Sequence, residues 1–217
     1  MSKSELHREI INLKQNVLDM GKLALNMLEN AIKSLNTQDL ELAKEVNNNK
    51  HKLREFDAHI EEHSLKMIAL YQPMAIDLRS LATILKMITY LYRLGRYGKD
   101  IAAIVELLSD KIPVSEILGI THMWEHVKSL IEDAIESFDK SEITKLKDFE
   151  ERDNEIDQMR WSIFRESVSY MMEKPANITI CAHIIMVARY LERCGDHACK
   201  IAEKVHYMVT GQHIEIS

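Results

Sequence analysis

The chain has 217 residues, 46% of them hydrophobic. That is long enough for one large domain or two of about 100 residues, and too apolar for a disordered chain. Its formal net charge of −6 excludes the basic footprint of a nucleic-acid-binding domain. No apolar run reaches the roughly 18 residues that a membrane-crossing helix needs. The first residues, Met1 to Glu9, contain no apolar signal segment.

Six glycines and three prolines over this length favour long helices over a many-turned sheet. The three cysteines, Cys181, Cys194 and Cys199, form no CxxC pair. They read as buried or free thiols in a reducing cytosol rather than as a zinc site.

From Leu6 to Leu35, the positions Ile10, Leu13, Val17, Met20, Ala24, Met27, Ala31 and Leu35 alternate three and four apart, which is the seam of a bundle helix. Asn36-Thr37-Gln38 ends it and offers capping side chains. A second helix is expected from about Asp39 to Leu70, with Leu42, Val46, Leu53, Phe56, Ile60, Met67 and Leu70 on its apolar side. The tract Asn47-Asn48-Asn49-Lys50-His51 interrupts that seam.

Pro73 suits the first turn of a third helix, where its missing N–H costs little. This helix runs to about Ser109 on the stripe Ile84, Met87, Leu91, Leu94, Gly98, Ile101, Val105, Leu108. Ser109 to Pro113 is the best domain boundary. Three more helices follow, at about Ser115–Phe138, Ser141–Glu173 and Asn177–Thr210. Gly211 is the expected C-cap of the last, and the tail to Ser217 is expected to fray. Short connections make consecutive helices antiparallel neighbours. The expectation is therefore an all-α protein of six long helices in two tandem antiparallel three-helix bundles, residues 1–110 and 111–217.

The halves repeat. At an offset of 100, Ile84/Ile184, Tyr90/Tyr190, Leu91/Leu191, Arg93/Arg193, Gly95/Gly195, Ile101/Ile201, Ala102/Ala202 and Val105/Val205 are identical. A shared heptad phase would produce matching apolar character, but not Tyr-Leu-x-Arg-x-Gly twice.

One difference between the copies stands out. In the last helix the core seam is Ile180, Ile184, Val187, Leu191, Cys194, Ala198, Ile201, Val205, Met208. Beside it runs a stripe of small residues holding Glu192, with Asp196 one turn on. On the preceding helix Asp153 falls on the seam Leu146, Phe149, Asp153, Ile156, Arg160, Ile163. A lone carboxylate there is costly unless it is paired or metal-bound, and Asp157 follows one turn later. Asp153, Asp157, Glu192 and Asp196 are thus two i,i+4 acid pairs on neighbouring helices, with all-oxygen donors suited to hard cations such as Mg²⁺, Mn²⁺ or Ca²⁺, or to iron or zinc clusters.

A structural alternative pairs Asp153 or Asp157 with Arg193 or Arg160. Glu150, Glu151 and Glu155 lie among Lys145, Lys147 and Arg152 and read as ordinary surface charges. His197 and Cys194 point elsewhere on the helix. In the first repeat the counterparts of the four acids are Lys50, Arg54, Tyr92 and Arg96. That half should not hold a cation. Closure of the face by stacking and surface charge is expected there over anion binding.

Tyr190-Leu191-Glu192-Arg193-x-Gly195-Asp196-His197-Ala198-x-x-Ile201-Ala202-Glu203 resembles the repeat signature of the PhoU family of phosphate-uptake regulators. Met20-Gly21, Asp39-Leu40-Glu41-Leu42-Ala43 and Gln72-Pro73-Met74-Ala75-Ile76-Asp77-Leu78-Arg79 resemble it too, and the likeness spans essentially residues 5–210. It implies tandem three-helix bundles with metal clusters held by E/D-x-x-x-D motifs, one per bundle. Asp153, Asp157, Glu192 and Asp196 match the second cluster; Lys50, Arg54, Tyr92 and Arg96 do not match the first.

The resemblance further implies a non-enzymatic cytoplasmic adaptor that restrains phosphate uptake. It would act between a phosphate ABC transporter and a sensor histidine kinase, form a homodimer, and reach the membrane only through these partners. A metal-free helical interaction module is the alternative. A di-iron carboxylate oxidoreductase is the weakest reading. That class uses two Glu-x-x-His motifs, and the chain has one, Glu203 to His206.

Overall fold

A computed structural model describes residues 3–108 and 119–216. Among them the helices are α1 (Lys3–Thr37), α2 (Leu40–Asn48), α3 (Lys50–Tyr71), α4 (Ala75–Leu108), α5 (Ile120–Lys140), α6 (Phe149–Glu173) and α7 (Ile178–Thr210), with single 3₁₀ turns at Thr144–Leu146 and Pro175–Asn177. No strand occurs among the described residues. The expected boundary at Ser109 to Pro113 lies outside them.

Most positions of the apolar seams are buried where the spacing places them, but in the second seam Leu42 and Phe56 are only partly buried and Leu70 is 54% exposed. In α1, Leu13, Val17, Met20, Ala24, Met27, Ala31 and Leu35 are buried, with Ile10 at the edge. In α7 every residue of the core seam is buried, and so is the whole second stripe, Ala188, Glu192, Gly195, Cys199 and Ala202. Each fully buried Leu, Ile or Met contributes roughly 1.5–3 kcal/mol, so these two-sided helices form the centre of their bundles.

Five expectations are corrected. The second long helix is two segments. Asn49 ends α2 and begins α3, in the polar tract that interrupts the seam, so the described residues hold seven α-helices where six were expected. Its N-cap is Asp39, whose carboxylate accepts from the Leu42 N–H at 3.0 Å, rather than Asn36-Thr37-Gln38. Pro73 lies in the connection rather than in the first turn of α4. The backbone is left-handed at Gln72 in that connection and at Ala75, the first residue of α4. The fifth expected helix begins at Phe149, after a left-handed Ser141 and a 3₁₀ turn. Finally, the tail packs down. Gly211 caps α7 in the left-handed conformation as expected (φ +76°). Beyond it His213 stacks on Tyr207 at 4.2 Å, the Ile216 N–H donates to Glu203 Oε1 at 3.1 Å, and the Ile216 side chain is buried.

The two bundles lie side by side, joined through equivalent helices. Across α1 and α5, Gly21 leaves room for Ile135, Lys128 pairs with Glu29 at 2.7 Å, and Asn36 donates to Thr121 at 3.0 Å. Across α4 and α7, Tyr97 stacks on Tyr190 at 5.6 Å and Tyr90 lies 5.7 Å from His197. At an offset of 100 Tyr90 is equivalent to Tyr190 and Tyr97 to His197, so the two contacts map onto each other as a pseudo-twofold.

Candidate functional site

The α6–α7 face is built around a glycine. A Cβ on Gly195 would sit 2.9 Å from Asp153 Oδ1 and 3.3 Å from Ile156. The missing side chain therefore lets α6 approach closely enough to press Asp153 onto α7. In the other bundle, a Cβ on Gly95 would meet Leu53, the counterpart of Ile156, at 2.5 Å. The repeated glycine thus serves helix contact in both copies, and the acids are what distinguishes the second.

The structure brings the four acids to one face. Burial pushes the Asp153 carboxyl up to about 6, and Asp196, Asp157 and Glu192 add to this; a hydrogen bond with the Cys199 thiol pulls the other way. Glu192 is only 8% exposed. Its pKa too is raised by burial, with Arg189 opposing and Asp196 reinforcing the shift. Its Oε1 pairs with Arg189 and, at 3.7 Å, with Arg160. Its Oε2 is buried without a partner. Asp196 pairs with Arg193 at 3.1 Å, and Asp157 is exposed.

The ion pairs expected of Arg160 and Arg193 therefore form, but with the acids of α7 rather than with Asp153 or Asp157. Among the described residues no three His, Cys, Asp or Glu side chains are grouped so as to hold a metal ion as they stand. The donor chemistry nevertheless fits a hard cation: four carboxylates on one face, one raised to about 6 by its like-charged neighbours and burial, and a buried carboxylate oxygen with no donor.

Two partnerships were missed from the sequence, Cys199 with Asp153 and Arg189 with Glu192. Cys199 lies on the same stripe as Glu192, two turns along, and its buried thiol bonds Asp153. Arg189 and Arg160 hold Glu192. The i,i+3 spacing of Arg189 and Glu192 was an available signal. His197 belongs to the bundle interface, stacked 5.8 Å from Tyr97. Burial, then Arg93 and Arg193, lowers its pKa to about 4, so the imidazole is neutral. The expected surface charges behave as such: Glu155 meets His126 at 3.4 Å and Arg152 meets Asp133 at 2.9 Å.

On the matching α3–α4 face the expected closure is not found. Lys50, Arg54, Tyr92 and Arg96 line a pocket of about 300 Å³, with His51, Lys99, Leu53 and Gly95.

A duplicated helical bundle, with the same glycine-centred contact in each copy and opposite charge on the two faces, defines the class: a tandem-repeat bundle protein of diverged halves. The PhoU domain family model matches twice, at residues 17–105 and 120–205, and the chain belongs to that family. It is 34% identical, over 96% of its length and 88% of the relative's, to a phosphate-specific transport system accessory protein PhoU homolog of Rhizobium meliloti. It is also 34% identical to the homolog of the same name from Aquifex aeolicus, over 97% and 96% of the two chains. The crystal structure of PhoU from Pseudomonas aeruginosa superposes with a TM-score of 0.88 at 28% identity, covering 95% of this chain and 99% of that one. No described helix is long and apolar enough to cross a membrane.

Proposed function

We propose that the chain is a non-enzymatic accessory protein of a phosphate-specific transport system. It restrains uptake from the cytoplasm and works as a homodimer between the phosphate ABC transporter and a sensor histidine kinase. The observation that carries the transport role is the match, over nearly the whole chain, to accessory proteins of such systems. Membrane association then runs through the partners.

Asp153, Asp157, Glu192 and Asp196 would hold a cation of iron, zinc, manganese or magnesium. The orphaned Glu192 Oε2 and the raised Asp153 carboxyl support this. Such an ion would supply positive charge that braces α6 against α7. Gly195 keeps the two helices close enough to share it, and Cys199 holds Asp153 in position. A metal-free interaction module is the second reading, favoured by the arginines that already neutralise Glu192 and Asp196.

Disruption of the gene should derange phosphate uptake, and unchanged uptake at both high and low phosphate would sink the transport role. Elemental analysis of the purified parent against Asp153→Ala/Glu192→Ala tests the site. Metal in the parent and its loss in the variant is expected; equal content in both removes the site and leaves the module reading.

A further inference from the structure

We propose that the pocket between α3 and α4 is a binding site for a phosphate-class oxyanion. It occupies the place in the N-terminal bundle that the four carboxylates occupy in the C-terminal one. All four counterpart positions, Lys50, Arg54, Tyr92 and Arg96, line one cavity of about 300 Å³. Lys99 and His51 join them, and no carboxylate lines it.

Four formal cations in one small cavity repel one another, and that repulsion is relieved most simply by a multivalent anion. In a chain of net charge −6, surplus carboxylates could have supplied the compensation internally, and they do not. Lys50, Arg54 and Arg96 form no ion pair or hydrogen bond among the described residues, and Lys99 meets only Asp100, at 3.3 Å. In the C-terminal bundle cations do find carboxylates: Arg152 pairs with Asp133, Lys145 with Asp133 and Glu136, and Lys128 with Glu29.

The chemistry of the lining selects the ligand. Arg54 and Arg96 present planar forks from two facing helices, a geometry suited to two oxygens of one tetrahedral anion. Lys50 and Lys99 add point charge. The floor is apolar, Leu53 and Gly95, which keeps water off one side and strengthens each charge–charge contact. The volume exceeds what one orthophosphate fills. Beside it lies a second cleft of about 470 Å³, lined by Asp57, Thr89, Tyr92, Arg93, Arg96, Tyr97 and Asp100. Tyr92 and Arg96 border both. The anion is therefore either free phosphate or the phosphoryl end of a small molecule whose remainder lies along Tyr92.

The proposal stands on the N-terminal bundle alone and depends neither on the transport role nor on the metal site. Calorimetric titration of the full chain in a chelating, low-chloride buffer tests it, with inorganic phosphate in one arm and ATP in the other. Saturable binding in at least one arm is expected, weakening as ionic strength rises. Binding of ATP alone assigns the phosphoryl group to an organic ligand; binding of inorganic phosphate, with or without ATP binding, assigns the site to the free ion.

The variant Arg54→Ala/Arg96→Ala should weaken binding at least tenfold, and Arg54→Lys/Arg96→Lys should recover part of it. Both positions are solvent-exposed, so the fold should hold; an unchanged far-UV spectrum and melting temperature checks that. Lys66→Ala, which removes an exposed cation of α3 outside the pocket, should bind as the parent does. No heat in either arm overturns the proposal, and so does binding that Arg54→Ala/Arg96→Ala leaves intact.

Discussion

Asp153 gives the sharpest prediction at the scale of one residue. Its carboxyl in the fold ionises near pH 6, against about 3.9 in an unfolded chain. Between those values the folded state holds more protons than the unfolded one, so stability falls as pH rises through this window. The cost is fully present above pH 6 and absent below pH 4. Two pKa units correspond to almost 3 kcal/mol when fully expressed, and solvent screening at this partly exposed side chain reduces this to about 1 kcal/mol. In chelator-treated protein, Asp153→Asn should therefore exceed the parent in stability by about 1 kcal/mol at pH 7 and match it near pH 4. Urea midpoints at the two pH values measure it. A difference that stays constant with pH would show that the carboxylate is not strained by burial and its neighbours.

At the scale of the helix, the close contacts of α4 rank two glycines. A Cβ on Gly98 would lie 2.9 Å from the Met27 carbonyl carbon and 3.0 Å from the Leu28 nitrogen, both backbone of α1. A Cβ on Gly95 would instead meet the methyl tip of Leu53, which can rotate. Overpacking costs about 1–3 kcal/mol, and alanine returns about 1 kcal/mol of helix propensity. Gly98→Ala should lose about 1–2 kcal/mol while Gly95→Ala changes stability by less than about 1 kcal/mol, read from thermal unfolding; the reverse order would refute the backbone contact. The repeat is consistent with a local cause, since the equivalent of Gly98 in α7 is Ala198, a fully buried residue that carries a Cβ.

The seams on which these contacts rest were legible because a buried stripe leaves a three-and-four spacing in any chain. The acid quartet was legible for the same reason, as a polar intrusion on that spacing. What the spacing leaves open is the choice among side-chain partners. Arg193 could have met Asp153 across the helices and instead meets Asp196 on its own. The break at Asn49 carries no glycine or proline, and the docking of the tail rests on His213 meeting Tyr207, the Ile216 N–H finding Glu203 and the Ile216 side chain finding cover. The openness of the α3–α4 face depends on where long cationic side chains extend, which residue type alone does not determine.

The whole molecule is two repeats that share their interfaces. Equivalent helices α1 and α5 pack together, and α4 meets α7 through Tyr90, Tyr97, Tyr190 and His197. Thr83 Oγ1 also donates to the Lys204 carbonyl, at 3.2 Å, from one bundle to the other. Separating the bundles would expose these aromatics and the apolar flanks beside them, so neither half should melt ahead of the other. Calorimetry of the full chain should show one transition whose calorimetric and van't Hoff enthalpies agree. Tyr97 touches both Tyr190 and His197, and aromatic-to-alanine changes at well-packed sites cost about 3–5 kcal/mol. Because Tyr97 is only partly buried, Tyr97→Ala should cost about 2 kcal/mol and lower that single transition as a unit. Two resolved transitions in the parent would show that each bundle is stable alone. A second transition appearing only in Tyr97→Ala would place the coupling in this aromatic contact and leave α1 against α5 too weak to transmit it.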